Sequence, residues 1–441
     1  MRVVFAPEVE EDLYGLIKIL VEKEYLGTYP FAISYVEELI ADIQQNIHSK
    51  LKKKAPAFFE RYGKDMYYIT YQRNSNTTWY IFFSVIGDTY IGDTYFIKYI
   101  TNNHVSGQYI FLHISMNILV TGIHGFVGSN LVIALKERHC LYGLDIVAPE
   151  KEGVIKTFFW KDIEPASFPM RNLPEFDAII HLAGKAHDTK NRSAAQSYFD
   201  INTGLTQEIF DFFLESSAKK FVFFSSVKAA ADSVVGDMLT EDVVPAPVGP
   251  YGESKIAAEN YILDKLKVEK GKLKANPYDD KQVYILRPCM IHGSGNKGNL
   301  NLLYNVVRKG IPWPLGAFEN RRSFTSIDNL CYVVEGLLTK EVASGIYHMG
   351  DDEALSTNEL ITLMCRALDR KPHIWKINRG LMEFCARLGT LLHLPLNTER
   401  LRKLTENYVV SNAKIKAALG IDRMPVRAEE GIVRTIKSFS N

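Results

Sequence analysis

Two kinds of periodicity divide this chain. From Glu8 to Glu24, apolar residues recur at Val9, Leu13, Leu16, Ile17 and Leu20; from Phe31 to Ile47 they recur at Ile33, Val36, Ile40, Ile43 and Ile47. Spacings of three and four predict two amphipathic helices. Arg2–Phe5 reads as a short strand, and LKKKAPAFFERYGKD as a basic loop. Three aromatic, β-type runs follow, MYYITYQ, WYIFFSVI and TYFIKYI, the first two separated by the turn-like RNSNTT. The predicted order is β-α-α-β-β-β: a small α+β module of two helices on an antiparallel sheet over residues 1–110. The pentapeptide IGDTY at Ile86–Tyr90 recurs at Ile91–Tyr95. An odd-length insertion inside a strand would turn every later side chain to the opposite face, so the repeat is expected in a turn.

After a linker at 111–116, FLHISM, the pattern changes. Short apolar runs (NILV, CLYGLD, FFWKDI, FDAIIHLAGKAH, KKFVFFSSVKA and VYILRPCMIHG) alternate with helical stretches such as SNLVIALKER and Tyr198–Leu214. Apolar strands alternating with helices predict an α/β fold with a Rossmann-type, doubly wound parallel sheet. VYILRP is expected to be the last central strand. The domain is assigned residues 116–441, with a C-terminal substrate-binding lobe mainly at 290–325 and 345–441.

The first of these strands ends in TGIHGFVG, with Gly122, Gly125 and Gly128 between strand and helix. Absent side chains permit a tight turn and a close approach of backbone N–H groups and a helix N-terminus to a pyrophosphate. Asp145 ends the next apolar run, 20 residues after Gly125, where a carboxylate can accept from both ribose hydroxyls of NAD and repel a 2′-phosphate. Asp162 and Ile163 fall where an adenine contact is expected. Ala183 and Gly184 let the backbone lie against a cofactor, and Asn202 stands near the head of a helix.

KKFVFFSSVKA closes on Ser225 and Ser226, and PYGESK places Tyr251 and Lys255 four apart on one helix face. A tyrosine hydroxyl titrates too high to act as a base at neutral pH, and a nearby ammonium is expected to lower it. Ser226 can orient the same substrate oxygen.

These motifs, TGIHGFVG, HLAGKAH, FFSSVK, YGESK and RPCMIHG, resemble those of the extended short-chain dehydrogenase/reductase family, the NAD-dependent epimerase/dehydratase group, across 116–441. The resemblance implies a catalytic set of Ser226, Tyr251 and Lys255. It adds Phe126, Val127, Leu182, Ser225 and Pro288 to the NAD contacts. KGIPWPLGAFENRRS and LTENYVVSNAKIKAALGID resemble enzymes acting at C4 of UDP-N-acetylhexosamine-type sugars. By that resemblance Asn299 and Leu300 approach the diphosphate and base, Pro314 and Leu315 flank the uracil, and Arg322 pairs a phosphate. Two departures stand out. The dehydratase branch has an Asp-Glu pair where this chain has Val227 and Lys228, so water elimination lacks its groups. The YG of RPxxxYG is His292–Gly293, which reads as a variant of the pocket wall. The expected reaction is C4 epimerisation of a UDP-sugar, with a one-way 4-keto-sugar reductase or dehydrogenase as the alternative. A non-catalytic dinucleotide sensor is disfavoured because Ser226, Tyr251 and Lys255 are all present.

The front module, through VVFAPEVEEDL, MYYITYQ, WYIFFSVI and YFIKYITNNH, resembles the RelE/ParE toxin superfamily. That implies RNA cleavage or gyrase inhibition and an antitoxin partner. Phosphate contacts dominate nucleic-acid affinity, yet residues 1–115 hold 11 Lys and Arg against 13 Asp and Glu. Nucleic acid is therefore not the expected partner, and Arg73, Lys98 and His104 read as solvated side chains. A degenerate or silenced module is expected.

With 46% hydrophobic and 23% charged residues and a net charge of +1, the chain has globular composition and no global field for polyanions. Its five cysteines show no CxxC or paired spacing, so reduced thiols and no metal are expected. No apolar run approaches the ~20 residues of a membrane helix. A cytoplasmic enzyme with no membrane partner, dimeric through its NAD-binding domain, is the expectation.

Overall fold

The computed structural model describes all residues except 1, 23–27, 51, 56–58, 60–61, 64, 74–76, 88–92, 103–115, 161–172, 187–193, 271–280, 297, 393, 395 and 440–441. The chain divides into two compact units, Met1–Met116 and Asn117–Asn441. The expected linker lies almost wholly outside the described residues.

In the first unit, β1 (Arg2–Phe5) is followed by α1 (Pro7–Glu22), α2 (Tyr29–Asn46), β2 (Lys53–Lys54), β3 (Tyr67–Gln72), β4 (Thr78–Ile86) and β5 (Thr94–Asn102). The sheet order is β1-β5-β4-β3-β2. All pairings are antiparallel except β1 with β5. Most of the predicted apolar stripe buries: Val9, Leu13, Val36 and Ile43, joined by Leu39, pack on Ile69, Ile81, Phe83 and Ile97, whereas the predicted Ile33 is exposed. The other face of the sheet carries Tyr80 and Phe82 under Phe59, whose ring stacks on Phe82 at 3.8 Å. The duplicated pentapeptide begins at Ile86, the last residue of β4, and ends in the first two residues of β5, with Ile86 paired to Thr94; its residues 88–92 lie outside the described residues. The basic segment differs from the expected loop: Lys53–Lys54 add a short edge strand, and the Lys50 ammonium sits 3.8 Å from the centre of the Tyr71 ring.

The second unit is built on seven parallel strands: β6 (Asn117–Thr121), β7 (Cys140–Asp145), β8 (Lys156–Phe159), β9 (Ala178–His181), β10 (Lys220–Phe224), β11 (Gln282–Pro288) and β14 (Gly345–Met349). Their order is β14-β11-β10-β9-β6-β7-β8. VYILRP, in β11, is the last central strand, as expected; β14, whose short GIYHM run sits at the sheet edge, was not foreseen. β6 is buried at four of its five positions, which explains its unbroken apolar run. The helices are α3 (Phe126–Leu135), α4 (Ala195–Tyr198), α5 (Leu205–Glu215), α6 (Val227–Ala230), α7 (Gly249–Lys270), α8 (Asn299–Arg308), α9 (Ile327–Thr339), α10 (Thr357–Ala367), α11 (Arg379–Leu391), α12 (Thr398–Thr405), α13 (Ala413–Leu419) and α14 (Ala428–Ser438). A π-helical turn, Phe199–Gly204, joins α4 to α5. One core packs Phe210, Phe213, Ala258 and Ile262 of α5 and α7 against Ile179, Phe221, Phe223 and Ile285 of the sheet. A second joins α8, α10 and α14 beside the strand pair β12 (Met290–His292) and β13 (Phe324–Ser326), forming the C-terminal lobe.

The strand order reverses at β6, which has β7 on one side and β9 on the other. In an open parallel sheet the crevice at such a reversal, beyond the strand C-termini, is where ligands bind. TGIHGFVG, HLAGKAH and FFSSVK all leave the sheet at that edge.

Candidate active site

The glycine turn is shaped by close contacts. Gly122 has φ +69°, in the region that favours glycine, and a Cβ there would lie 3.1 Å from the Ala183 nitrogen. A Cβ on Gly128 would fall 2.5 Å from the Gly122 carbonyl oxygen, so only glycine lets α3 sit this close. Gly125 is the exposed N-cap of α3 and brings no side chain to its first N–H groups, with Phe126 and Val127 on the first turn. These donors remain open to a phosphate. At the end of β7, Asp145 accepts from the His124 and Ile146 N–H groups at 3.0 and 2.8 Å. A carboxylate so held keeps lone pairs for two hydroxyls. The cradle thus fits an adenine dinucleotide. Asp162 and Ile163 lie outside the described residues.

Beneath the turn lies a buried polar chain that the sequence reading missed. Thr121 Oγ1 accepts from the Leu182 and Ala183 N–H groups at 3.1 and 3.0 Å, so its own proton goes to His181 Nδ1 at 2.8 Å. His181 Nε2–H then donates to Thr206 Oγ1 at 3.0 Å, and Thr206 donates to the Asn202 carbonyl. Burial holds the His181 imidazole well below its ordinary pKa, helped by the charge of Lys255, consistent with this neutral tautomer. Asn202, in the π-turn, is fully buried; its Oδ1 accepts from Lys185 N–H at 2.7 Å and its Nδ2 donates to Ser254 Oγ at 3.0 Å. Ser254 in turn donates to the Tyr251 carbonyl. Asn202 therefore ties the Leu182–Gly184 loop to the helix bearing Tyr251, a positioning role. A Cβ on Gly184 would meet Asn202 Oδ1 at 2.9 Å and the Lys255 ammonium at 3.2 Å.

Ser226 caps α6, accepting from Lys228 N–H, and its hydroxyl is hydrogen-bonded to that of Tyr251. Lys255 Nζ donates to the Phe224 carbonyl at 2.9 Å. The structure thus brings the three expected catalytic side chains together, but corrects their electrostatics. Burial pushes the Tyr251 hydroxyl above its ordinary value; the Ser226 bond pulls it down and Tyr198 pushes it further up. Burial pushes Lys255 itself down to about 8, against the pull of Glu259.

Glu259, one turn beyond Lys255, accepts from Arg287 Nε and Nη2 at 2.9 and 2.5 Å. Ser225 Oγ also donates to Glu259, so its hydroxyl serves this ion pair. Pro288, buried, ends the Arg287 strand. Neither Glu259 nor Arg287 was singled out in the sequence, where they stand 28 residues apart.

The lobe residues divide. Asn299 opens α8. Leu300 is packed in the core with Tyr304 and Leu360, and Leu315 with Met382, Ala386 and Leu401, so neither reaches a base by its side chain; Pro314, half-buried, stands beside them. Arg322 is held by the Lys403 and Glu406 carbonyls at the end of α12 and lies 3.6 Å from the Glu406 carboxylate. His292 is no pocket-wall residue: it is fully buried and bonded to Thr435 on α14 at 2.8 Å. Lys228, where the dehydratase branch has an acid, pairs with Asp232 at 3.0 Å.

Residues 118–350 match the NAD dependent epimerase/dehydratase family. The chain belongs to that family. It is accordingly an NAD-dependent enzyme of the epimerase and oxidoreductase type. It is 29% identical over 334 residues to a UDP-glucose 4-epimerase of Vibrio cholerae, spanning 73% of this chain and 95% of that protein. It is 26% identical over 257 residues to an Escherichia coli O157:H7 N-acetyl-alpha-D-glucosaminyl-diphospho-ditrans,octacis-undecaprenol 4-epimerase, covering 58% and 73% of the two chains. The fold is shared with the Bacillus cereus UDP-N-acetylglucosamine 4-epimerase, with TM-score 0.57 and 20% identity over 74% of this chain and all of that one. The family match lies wholly in the second unit. Among the described residues no helix is long and apolar enough to cross a membrane, and no cluster of ligating side chains is arranged for a metal.

Proposed function

We propose that the second unit interconverts the C4 configuration of a UDP-sugar of the glucose or N-acetylglucosamine type. The observation that carries this reading is the Ser226–Tyr251 hydrogen bond beside Lys255 at the strand C-termini. A bound NAD would supply acceptance of the C4 hydride and its return to the opposite face of the sugar. Tyr251 accepts the 4-OH proton, and Ser226 orients that oxygen. Tyr251 rests as a phenol, so it needs a positive charge brought near it before it can act as a base. Lys255, four residues away on the same helix face, is placed to turn from the Phe224 carbonyl and supply that charge. Val227 and Lys228 leave dehydration without its acid and base.

The test is incubation with UDP-glucose and UDP-N-acetylglucosamine, with and without added NAD(P)H. Interconversion without reductant supports epimerisation. Consumption of a 4-keto sugar only with reductant selects the one-way reductase. A second reading keeps the chemistry and exchanges the nucleotide for a lipid diphosphate carrier, as named for the Escherichia coli relative; the exposed apolar face of α11 favours it. Conversion of a polyprenyl-diphosphate sugar, with no turnover of UDP-sugars, selects this reading.

For residues 1–110 we propose a silenced toxin-like module, supported by its acidic balance and by the pinning of Lys50 and Lys52 to Tyr71 and Tyr95. Growth arrest on expressing these residues alone would overturn it and call for an antitoxin.

A further inference from the structure

Helix α11 has two apolar faces, and only one is covered. Met382, Ala386 and Gly389 are buried against the lobe, with Leu315 and Leu401 in the same cluster. On another face stand Leu381, Phe384, Leu388, Leu391 and Leu392, each between 41% and 74% exposed. At 100° per residue their spacing puts them on a single arc of about 100°. Trp375, in the segment leading into the helix, and Leu394 beyond it are also exposed. This concentration of exposed Leu, Phe and Trp needs a partner.

The surrounding charge says which partner. Residues 370–404 hold eight Lys or Arg against two Glu, whereas the whole chain is +1. Lys371, Lys376, Arg379, Arg387, Arg402 and Lys403 are exposed. A second copy docked by the same face would set this cationic rim against itself. A surface of anionic lipid headgroups complements it, and Leu, Phe and Trp flanked by Lys and Arg are the composition of a helix lying in a membrane interface. Such a helix escapes any search for spanning segments, because it lies in the plane of the surface.

We propose that α11 and its cationic flanks seat this enzyme on an anionic membrane surface. The buried side of α11 packs on Leu315, and the end of α12 holds Arg322, so the seated face adjoins the segment expected at the carrier end of the substrate. The proposal stands on α11 alone and does not depend on which carrier the sugar has.

The test is co-sedimentation of the full chain with vesicles of phosphatidylcholine alone and of an equal mixture with phosphatidylglycerol. The expected result is partition onto the mixed vesicles only, weakening as salt is raised. Phe384→Asp with Leu391→Asp should lower the partition coefficient at least about tenfold, since two apolar anchors are lost and two like charges face the lipid. NAD binding by the double variant should stay unchanged, which shows it is folded. Absence of wild-type binding to anionic vesicles, or wild-type binding by the double variant, overturns the proposal. So does a wild-type dimer in sedimentation equilibrium that the double variant abolishes. None of these results bears on C4 chemistry, which is assayed separately.

Discussion

Glu259 receives three hydrogen bonds from Arg287, from Nε at 2.9 and 3.2 Å and from Nη2 at 2.5 Å, with both side chains buried. The pair fastens the helix bearing Tyr251 and Lys255 to β11, and Ser225 joins it from the end of β10. Glu259→Ala would leave a buried guanidinium uncompensated, at a cost of about 3–5 kcal/mol. Urea unfolding should show that loss. Replacing both members, Glu259→Met with Arg287→Leu, should cost much less. A single variant as stable as wild type would mean the pair does not organise the site.

Lys255 supplies a pH dependence. Its ammonium is depressed to about 8 by burial. An ammonium that donates to a ribose hydroxyl of the bound cofactor is held in its charged form, so above pH 8 binding takes up a proton. NAD affinity should therefore be level below about pH 8 and fall as pH rises through and beyond it, while Lys255→Met gives a flat profile. Calorimetric titration across this range decides; a flat wild-type profile would separate Lys255 from the cofactor.

Asp145 sets cofactor choice. Its carboxylate is fixed at the end of β7 by two backbone N–H groups, where a 2′-phosphate would meet its charge. NAD should bind more tightly than NADP, and Asp145→Ala should narrow the difference by about tenfold or more. Tighter binding of NADP by the wild type would contradict this.

How far the sequence reached depended on what kind of signal each feature left. TGIHGFVG, Asp145, FFSSVK and YGESK are local patterns whose side chains and turns do the work where they stand, and the sheet gathers them at one edge. Strand β14 escaped because GIYHM is short and has no flanking motif. The Thr121–His181–Thr206–Asn202 chain and the Glu259–Arg287 pair escaped because each unites residues from separate strands and helices, and no spacing announces such partners. Leu300, Leu315 and His292 were placed near the ligand by a resemblance of position, which carries no information on packing, and their side chains turn into the core. The electrostatics around Tyr251 were not legible either, since the burial of its hydroxyl and the turn of the Lys255 ammonium to the Phe224 carbonyl are set by tertiary packing.

The central claim is that Tyr251 handles the proton of the sugar 4-OH. Tyr251→Phe keeps the ring and its edge-on contact with Tyr198, at 6.4 Å between centroids, and removes only the hydroxyl. Losing a positioned base costs about 10²–10⁴-fold in rate. On the UDP-sugar that the wild type converts, followed by NMR of the C4 proton, kcat should fall at least ~100-fold while NAD affinity stays within about twofold; a Tyr251→Phe enzyme that keeps most of its turnover would contradict the account.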